Sequence, residues 1–212
     1  MKKLFAFLCV SSMLLVLVAS SASAFIVDVY NSDSAILNLT DAEKLVTSSG
    51  SPDASGIYGI IEFDDLGDGT RGHFSINNSF PGGYASDFAV EVTGTIYIDT
   101  PGDYTFGINH DDGASLNIAG TYAEYYNTTD NRDTLVSLSA ATAGLYNVEI
   151  LFFERGGGAS LEFFWAPGIW SGWNYCAGFE LVESAPVPEP CTMLLLGSGL
   201  AGLVAIRRRF KR

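Results

Sequence analysis

The sequence predicts an all-β domain: an antiparallel β-sandwich with one short helix, flanked by an N-terminal signal helix and a C-terminal hydrophobic sorting helix. Three observations carry this. Apolar residues alternate with period two through the middle of the chain. Gly, Asp, Asn and Pro interrupt that alternation at short intervals. An apolar run with basic neighbours stands at each end.

At the front, Lys2 and Lys3 precede an apolar run from Leu4 to Val18, and Ala22-Ser23-Ala24 follows. A basic start, an apolar core and an A-x-A site are the parts of a secretory signal. Cleavage after Ala24 would leave Phe25 as the first mature residue; the alternative is a retained membrane anchor, for which the run is short. Cys9 has no small residue just before it, which argues against a lipoprotein.

The strands follow. Phe88, Val90 and Val92 alternate, and Ile96 and Ile98 continue after Gly94. Tyr104, Phe106 and Ile108 alternate, then Leu116 and Ile118. Tyr146, Val148, Ile150 and Phe152 form a longer set, followed by Leu161, Phe163 and Trp165. Period two places one face in a core and the other toward solvent. Turn residues separate the strands at Pro101-Gly102-Asp103, Asp111-Asp112-Gly113, Gly156-Gly157-Gly158 and Pro167-Gly168. Short strands with such spacing read as a sandwich or barrel. The one helix signal is Thr40-Asp41-Ala42-Glu43, which has capping-box spacing ahead of Leu45 and Val46.

At the back, Pro188-Glu189-Pro190 precedes an apolar stretch to Ile206 and the cluster Arg207-Arg208-Arg209. The stretch is a little short of the roughly 20 residues that span a bilayer comfortably. The basic cluster stays on the cytoplasmic side. The expected organisation is therefore signal 1–24, sandwich 25–183, linker 184–190 and sorting tail 191–212. The end of the chain would pause in the inner membrane while its body lies outside.

The chain has 212 residues and a net charge of −13. Removing both ends sharpens the imbalance. Between Phe25 and Pro188 only Lys44, Arg71, Arg132 and Arg155 are basic, and every acidic residue of the chain except Glu189 lies there. Such a field repels phosphate backbones and excludes nucleic acid as a partner. It favours divalent cations, and equally plain solubility. Cys9, Cys176 and Cys191 make no disulfide framework once the ends are gone, and His73 and His110 lack zinc-site spacing.

The constellation with most chemistry runs from Gly94 to Trp165. It reads as a meander that turns at Asp111-Asp112, where Gly113 accepts a positive φ, with a later hairpin bending at the glycine triplet. The Asp pair fits two roles, a calcium site or a turn in which Asp caps nearby amides. Asp64-Asp65-Leu66-Gly67-Asp68-Gly69-Thr70 is a weaker cation loop, since Ser75 stands where an EF-hand needs Glu. Asp130, Arg132 and Asp133 read as a plain polar turn. Trp170 and Trp173 lie in a loop, where they would either stack on sugar rings or pack beneath the sandwich edge.

Two resemblances arise from these motifs. Pro188-Glu189-Pro190, Leu194 to Ile206 and Arg207 to Arg209 resemble the PEP-CTERM sorting signal. That resemblance implies recognition by an exosortase, removal of the tail, and display at the surface or release into exopolysaccharide. The stretch from Phe88 to Gly168 resembles the PA-fourteen (protective-antigen type) domain family. It does so through Tyr104 and Phe106, Asp111-Asp112-Gly113, Leu116 to Gly120, Gly144-Leu145-Tyr146 and Glu154 to Trp165. It implies a β-sandwich used for binding or adhesion. In sugar-binding members, paired aspartates hold a calcium ion and a second loop adds an Asn. Asp111 and Asp112 match the pair, and Glu154 stands where the Asn is expected.

The expected protein is a non-enzymatic, exported surface module that binds envelope or matrix polysaccharide with calcium as cofactor. A structural matrix protein without a specific ligand is the alternative. A glycan hydrolase fits poorly, because glycosidase carboxyls face each other across the bond from separate elements. The chain also has no G-x-S-x-G elbow, HExxH helix or phosphate loop.

Overall fold

Two β-sheets face each other, and consecutive strands often belong to different sheets. The computed structural model describes residues 24–65, 72–74, 78–127, 130–140, 142–172 and 178–185, all within the compact unit Ser23–Pro186. The expected signal and sorting helices fall outside these residues. No helix among the described residues is long and apolar enough to cross a membrane.

In chain order the elements are β1 (Phe25–Asn31), α1 (Leu39–Ser49), β2 (Ala54–Tyr58), β3 (Glu62–Asp64), β4 (Phe88–Ile98), β5 (Gly102–Asp111) and β6 (Gly113–Ile118). There follow β7 (Thr121–Tyr125), β8 (Arg132–Ala140), β9 (Gly144–Glu154), β10 (Ser160–Pro167) and β11 (Glu180–Leu181). One sheet has the order β2-β1-β4-β9-β6-β7. The other runs β11-β10-β5-β8, with β3 also pairing β10. The named strands pair antiparallel. The all-β sandwich with one short helix is thus the fold of the described residues.

The inward faces meet in one core. Val27, Val90, Leu116 and Ile150 come from the first sheet, and Phe106, Ile108, Leu161 and Phe163 from the second. Phe25 bridges the gap edge-on to Phe163, with ring centroids 5.9 Å apart. Gly94 makes this possible: a Cβ there would lie 2.5 Å from Phe25 Cδ1.

Two adjacent pairs, Phe152-Phe153 and Phe163-Phe164, are buried on both faces of their strands. Phe152 enters the core, while Phe153 lies with Ala89 under Leu39 and Ala42 of α1. Phe164 packs outside the second sheet with Phe179, against Phe74 and Trp170. Covering elements therefore replace solvent where the alternation breaks.

Two expectations need correction. The helix is capped by Asn38, whose side chain accepts from the Asp41 amide at 3.1 Å, and Asp41 accepts from the Leu37 amide at 3.2 Å. The reciprocal pair is shifted two residues from the expected Thr40-to-Glu43 box. Thr40 Oγ1 meets the Tyr126 hydroxyl at 3.0 Å instead. The meander and the glycine hairpin are also absent. β5 and β6 lie in different sheets, and so do β9 and β10. Alternation reports which face of a strand is buried, and it is the same whether the next strand pairs beside it or crosses to the opposite sheet.

Candidate metal centre

Both crossings occur at the same end of the sandwich. Asp111 is paired with Ser160, and Gly113 with Phe153. The short arch at Asp112 therefore lies against the longer arch that links Glu154 to Ser160. This places three carboxylates together. Oxygens of Asp111, Asp112 and Glu154 all lie within 4.8 Å of one another. The three residues are 8 %, 2 % and 1 % exposed, respectively. The Asp111–Asp112 peptide bond is cis.

Backbone amides of the second arch aim these groups. The Arg155 N–H donates to Asp112 Oδ2 at 2.9 Å, and the Gly156 N–H donates to Glu154 Oε1 at 2.7 Å. Glu154 Oε2 is buried without a hydrogen-bond partner. Burial, then the Asp112 carboxylate, push the Glu154 carboxyl up to about 8. Burial also raises Asp112, against the hydrogen bond from Arg155. At this spacing two ionised carboxylates repel by about 3–4 kcal/mol for an effective dielectric near 20.

His110 sits beside the arch and is fully buried. Its Nδ1 meets the Asp112 carbonyl oxygen at 2.5 Å, and its Nε2 meets Thr134 Oγ1 at 2.8 Å. A carbonyl only accepts, so Nδ1 carries the proton and Nε2 accepts from the hydroxyl. Burial lowers the ring to about 4, so it is neutral near pH 7.

The donor set suits a hard cation. Calcium binds six to eight oxygens at about 2.3–2.6 Å, so oxygens on opposite sides of it lie about 5 Å apart. The 4.8 Å spread of the cluster fits that span.

Asp64 and Asp65, from the second acidic segment that the sequence presents as a cation candidate, also lie at this end. Ser160 pairs with Asp111 on one side and with Asp64 on the other. The next residue, Asp65, donates its amide to the Ala159 carbonyl at 3.1 Å, and its buried Oδ1 has no hydrogen-bond partner. Its charge contributes to raising Glu154. Residues 66–71 lie outside the described residues. Pairing of β3 with β10, invisible in the sequence, is what brings Asp65 to this end. The signal that was available is the acidic pair directly after Ile61-Glu62-Phe63.

The other expected residues lie elsewhere. Trp170 follows the far end of β10; its indole N–H donates to the Pro167 carbonyl at 2.6 Å and its ring packs outside the second sheet. The structure does not bring it to the carboxylates. Trp173 and the sorting residues Pro188, Glu189, Pro190, Arg207, Arg208 and Arg209 lie outside the described residues. Gly113 has no positive φ. It is needed for space instead, since a Cβ would come 2.4 Å from Phe153 Cε1. Asp133 belongs to a strand rather than a plain turn. Burial opposes its ionisation, but bonds from His73 at 2.8 Å and Asn109 at 2.9 Å hold it below the usual range.

Comparison with known proteins agrees with this fold. The PA14 domain family model matches residues 68–178, and the PEP-CTERM protein-sorting motif matches residues 186–209. The sorting motif marks the protein for export. No curated protein matches the chain. Among solved structures, the PA14 domain of the MpAFP antifreeze protein is similar, with TM-score 0.58 and 17% identity over 78% of this chain and 93% of that one. The PA14 sugar-binding domain from an RTX adhesin has TM-score 0.56 and 20% identity over 77% and 98%. A subtype-switched Epithelial Adhesin A domain from Candida glabrata, solved with beta-lactose, has TM-score 0.51 and 13% identity over 80% and 92%. At these identities the likeness is one of fold.

Proposed function

Since the chain belongs to the PA14 domain family and carries a PEP-CTERM sorting motif, we propose that it is a non-enzymatic adhesion module of the cell surface or extracellular matrix. It binds envelope or matrix polysaccharide through calcium held at Asp111, Asp112 and Glu154. The carrying observation is Glu154 Oε2, a buried oxygen without a hydrogen-bond partner, set beside two further carboxylates. Two relatives of the same fold, a sugar-binding adhesin domain and a lactose-bound adhesin, support the glycan part.

Within this reading each residue has a task. The Arg155 and Gly156 amides fix one oxygen of Asp112 and one of Glu154, leaving the others to converge. Neutral His110 anchors the Asp112 carbonyl without adding a competing positive charge. Calcium, when bound, supplies coordination positions that vicinal sugar hydroxyls can occupy. At the other end of the chain, Pro188-Glu189-Pro190 and Arg207 to Arg209 present the tail to an exosortase after transient insertion in the inner membrane.

Calcium at a hundredfold excess over its Kd adds about 2.7 kcal/mol of stability. Millimolar calcium is expected to raise Tm by several degrees, and Asp112→Ala to abolish the rise. An unchanged Tm in the parent protein rules the site out. A second reading, an ion that only staples the arches of a structural matrix protein, is favoured by the deep burial of Asp112 and Glu154. Glycan-array binding that EDTA removes selects the first reading. A silent array together with a calcium-dependent Tm selects the second.

A further inference from the structure

The opposite end of the sandwich holds a cleft of about 340 Å³, within the size range of small-ligand sites. Tyr104 lies near the start of β5 and Asp111 ends it, so the cleft is about 23 Å along the strand from the carboxylate centre. One wall is the end of β4 with Tyr97 and Asp99. The floor is Tyr104 and Trp165, and the outer wall is the segment Glu180–Glu183.

The rings are held in place. Tyr104 and Trp165 have centroids 5.8 Å apart, and the Tyr104 hydroxyl donates to the Thr100 carbonyl at 2.5 Å. Tyr97 is 57 % exposed. The outer wall is stitched to both sheets: the Val182 amide donates to Phe163 at 3.0 Å, and the Ala185 amide to Thr95 at 2.6 Å. Asp99, Glu180 and Glu183 are exposed at the mouth, and no Lys or Arg lines the cleft among the described residues.

We propose that this cleft is a second glycan subsite, independent of calcium, that takes a sugar unit with a free amine. Aromatic faces stack on the flat C–H side of a pyranose and attract an ammonium. Three carboxylates at the rim accept hydroxyls and complement the positive charge, and nothing in the lining suits an anion. A lysine side chain would satisfy the carboxylates but offers no flat face to the rings.

The test titrates a glucosamine trimer into the full chain by calorimetry, at about pH 6 and in EDTA, so that the carboxylate centre does not contribute. Saturable binding is expected. Glu180→Gln with Glu183→Gln, two exposed positions, should weaken it at least tenfold, and Tyr97→Ser should weaken it separately. The fully N-acetylated trimer should bind at least tenfold more weakly. Binding in EDTA separates this site from the calcium reading. Absence of saturable binding overturns the proposal. So does equal binding of the N-acetylated trimer, or equal binding of trilysine.

Discussion

Asp112 and Glu154 occupy neighbouring arches, and burial, with the Asp112 carboxylate beside it, pushes the Glu154 carboxyl up to about 8. The pair binds a proton in the folded protein that the unfolded chain would release.

Stability in the absence of calcium should fall as the solution becomes alkaline. A Glu154 value raised from 4.5 to about 8 favours the folded state fully below the ordinary glutamate range. That contribution is lost as pH rises through about 8, because the folded state binds the extra proton. A drop in Tm of roughly 5–10 °C between pH 5 and pH 8 is expected in EDTA, to which Glu162, pushed up to about 7 by burial, also contributes. With calcium the trend should weaken, since the ion replaces the Glu154 proton and the folded state no longer binds the extra one, and its affinity should tighten over the same interval. A Tm in EDTA that stays level across this range contradicts the assignment.

Glu154→Gln keeps the shape and removes the buried charge. The variant should melt a few degrees higher than the parent at pH 8 in EDTA, since a neutral amide replaces a poorly solvated carboxylate. It should lose most of its response to calcium. Thermal melts with and without the ion measure both effects together.

Gly113→Ala should destabilise by about 1–3 kcal/mol through overpacking. The added methyl meets the Phe153 ring, which is clamped between β9 and α1, so it has little room to give. Urea unfolding would register a lower midpoint with an unchanged slope.

Asn38→Ala should cost about 1 kcal/mol by removing the helix cap. Thr40→Ala should change stability by less than about 0.5 kcal/mol, because its hydroxyl touches only the Tyr126 hydroxyl at the surface. Equal effects of the two would return the cap to Thr40.

The strands were legible because their inward residues alternate cleanly, as from Tyr146 to Phe152. The pairing was not. Asp111 and Ser160 are neighbours only because β5 lies next to β10, and nothing in either strand names the other. The carboxylate cluster was readable in its three members through the family resemblance. Asp65, whose charge acts on Glu154, could not be connected with the cluster from the sequence, because β3 is only three residues long in the structure. Buried acids elsewhere, Glu62 and Glu162, were also hidden. They face each other across β3 and β10 where an apolar pair would be expected. Glu162 is held by the amides of His73 and Phe74 at 2.7 and 2.8 Å, partners far away in the chain.

The two arches have a mechanical consequence. The carboxylate end and the Ala185–Thr95 contact lie near opposite ends of β4. A pull between a ligand at the arches and the chain leaving Ala185 runs along the strands, so the ladder bonds of β4 with β1 and β9 are loaded in shear, many at once. An ion at the arches would tie the two sheets together where that load enters, and the grip of the module would then depend on the calcium around it.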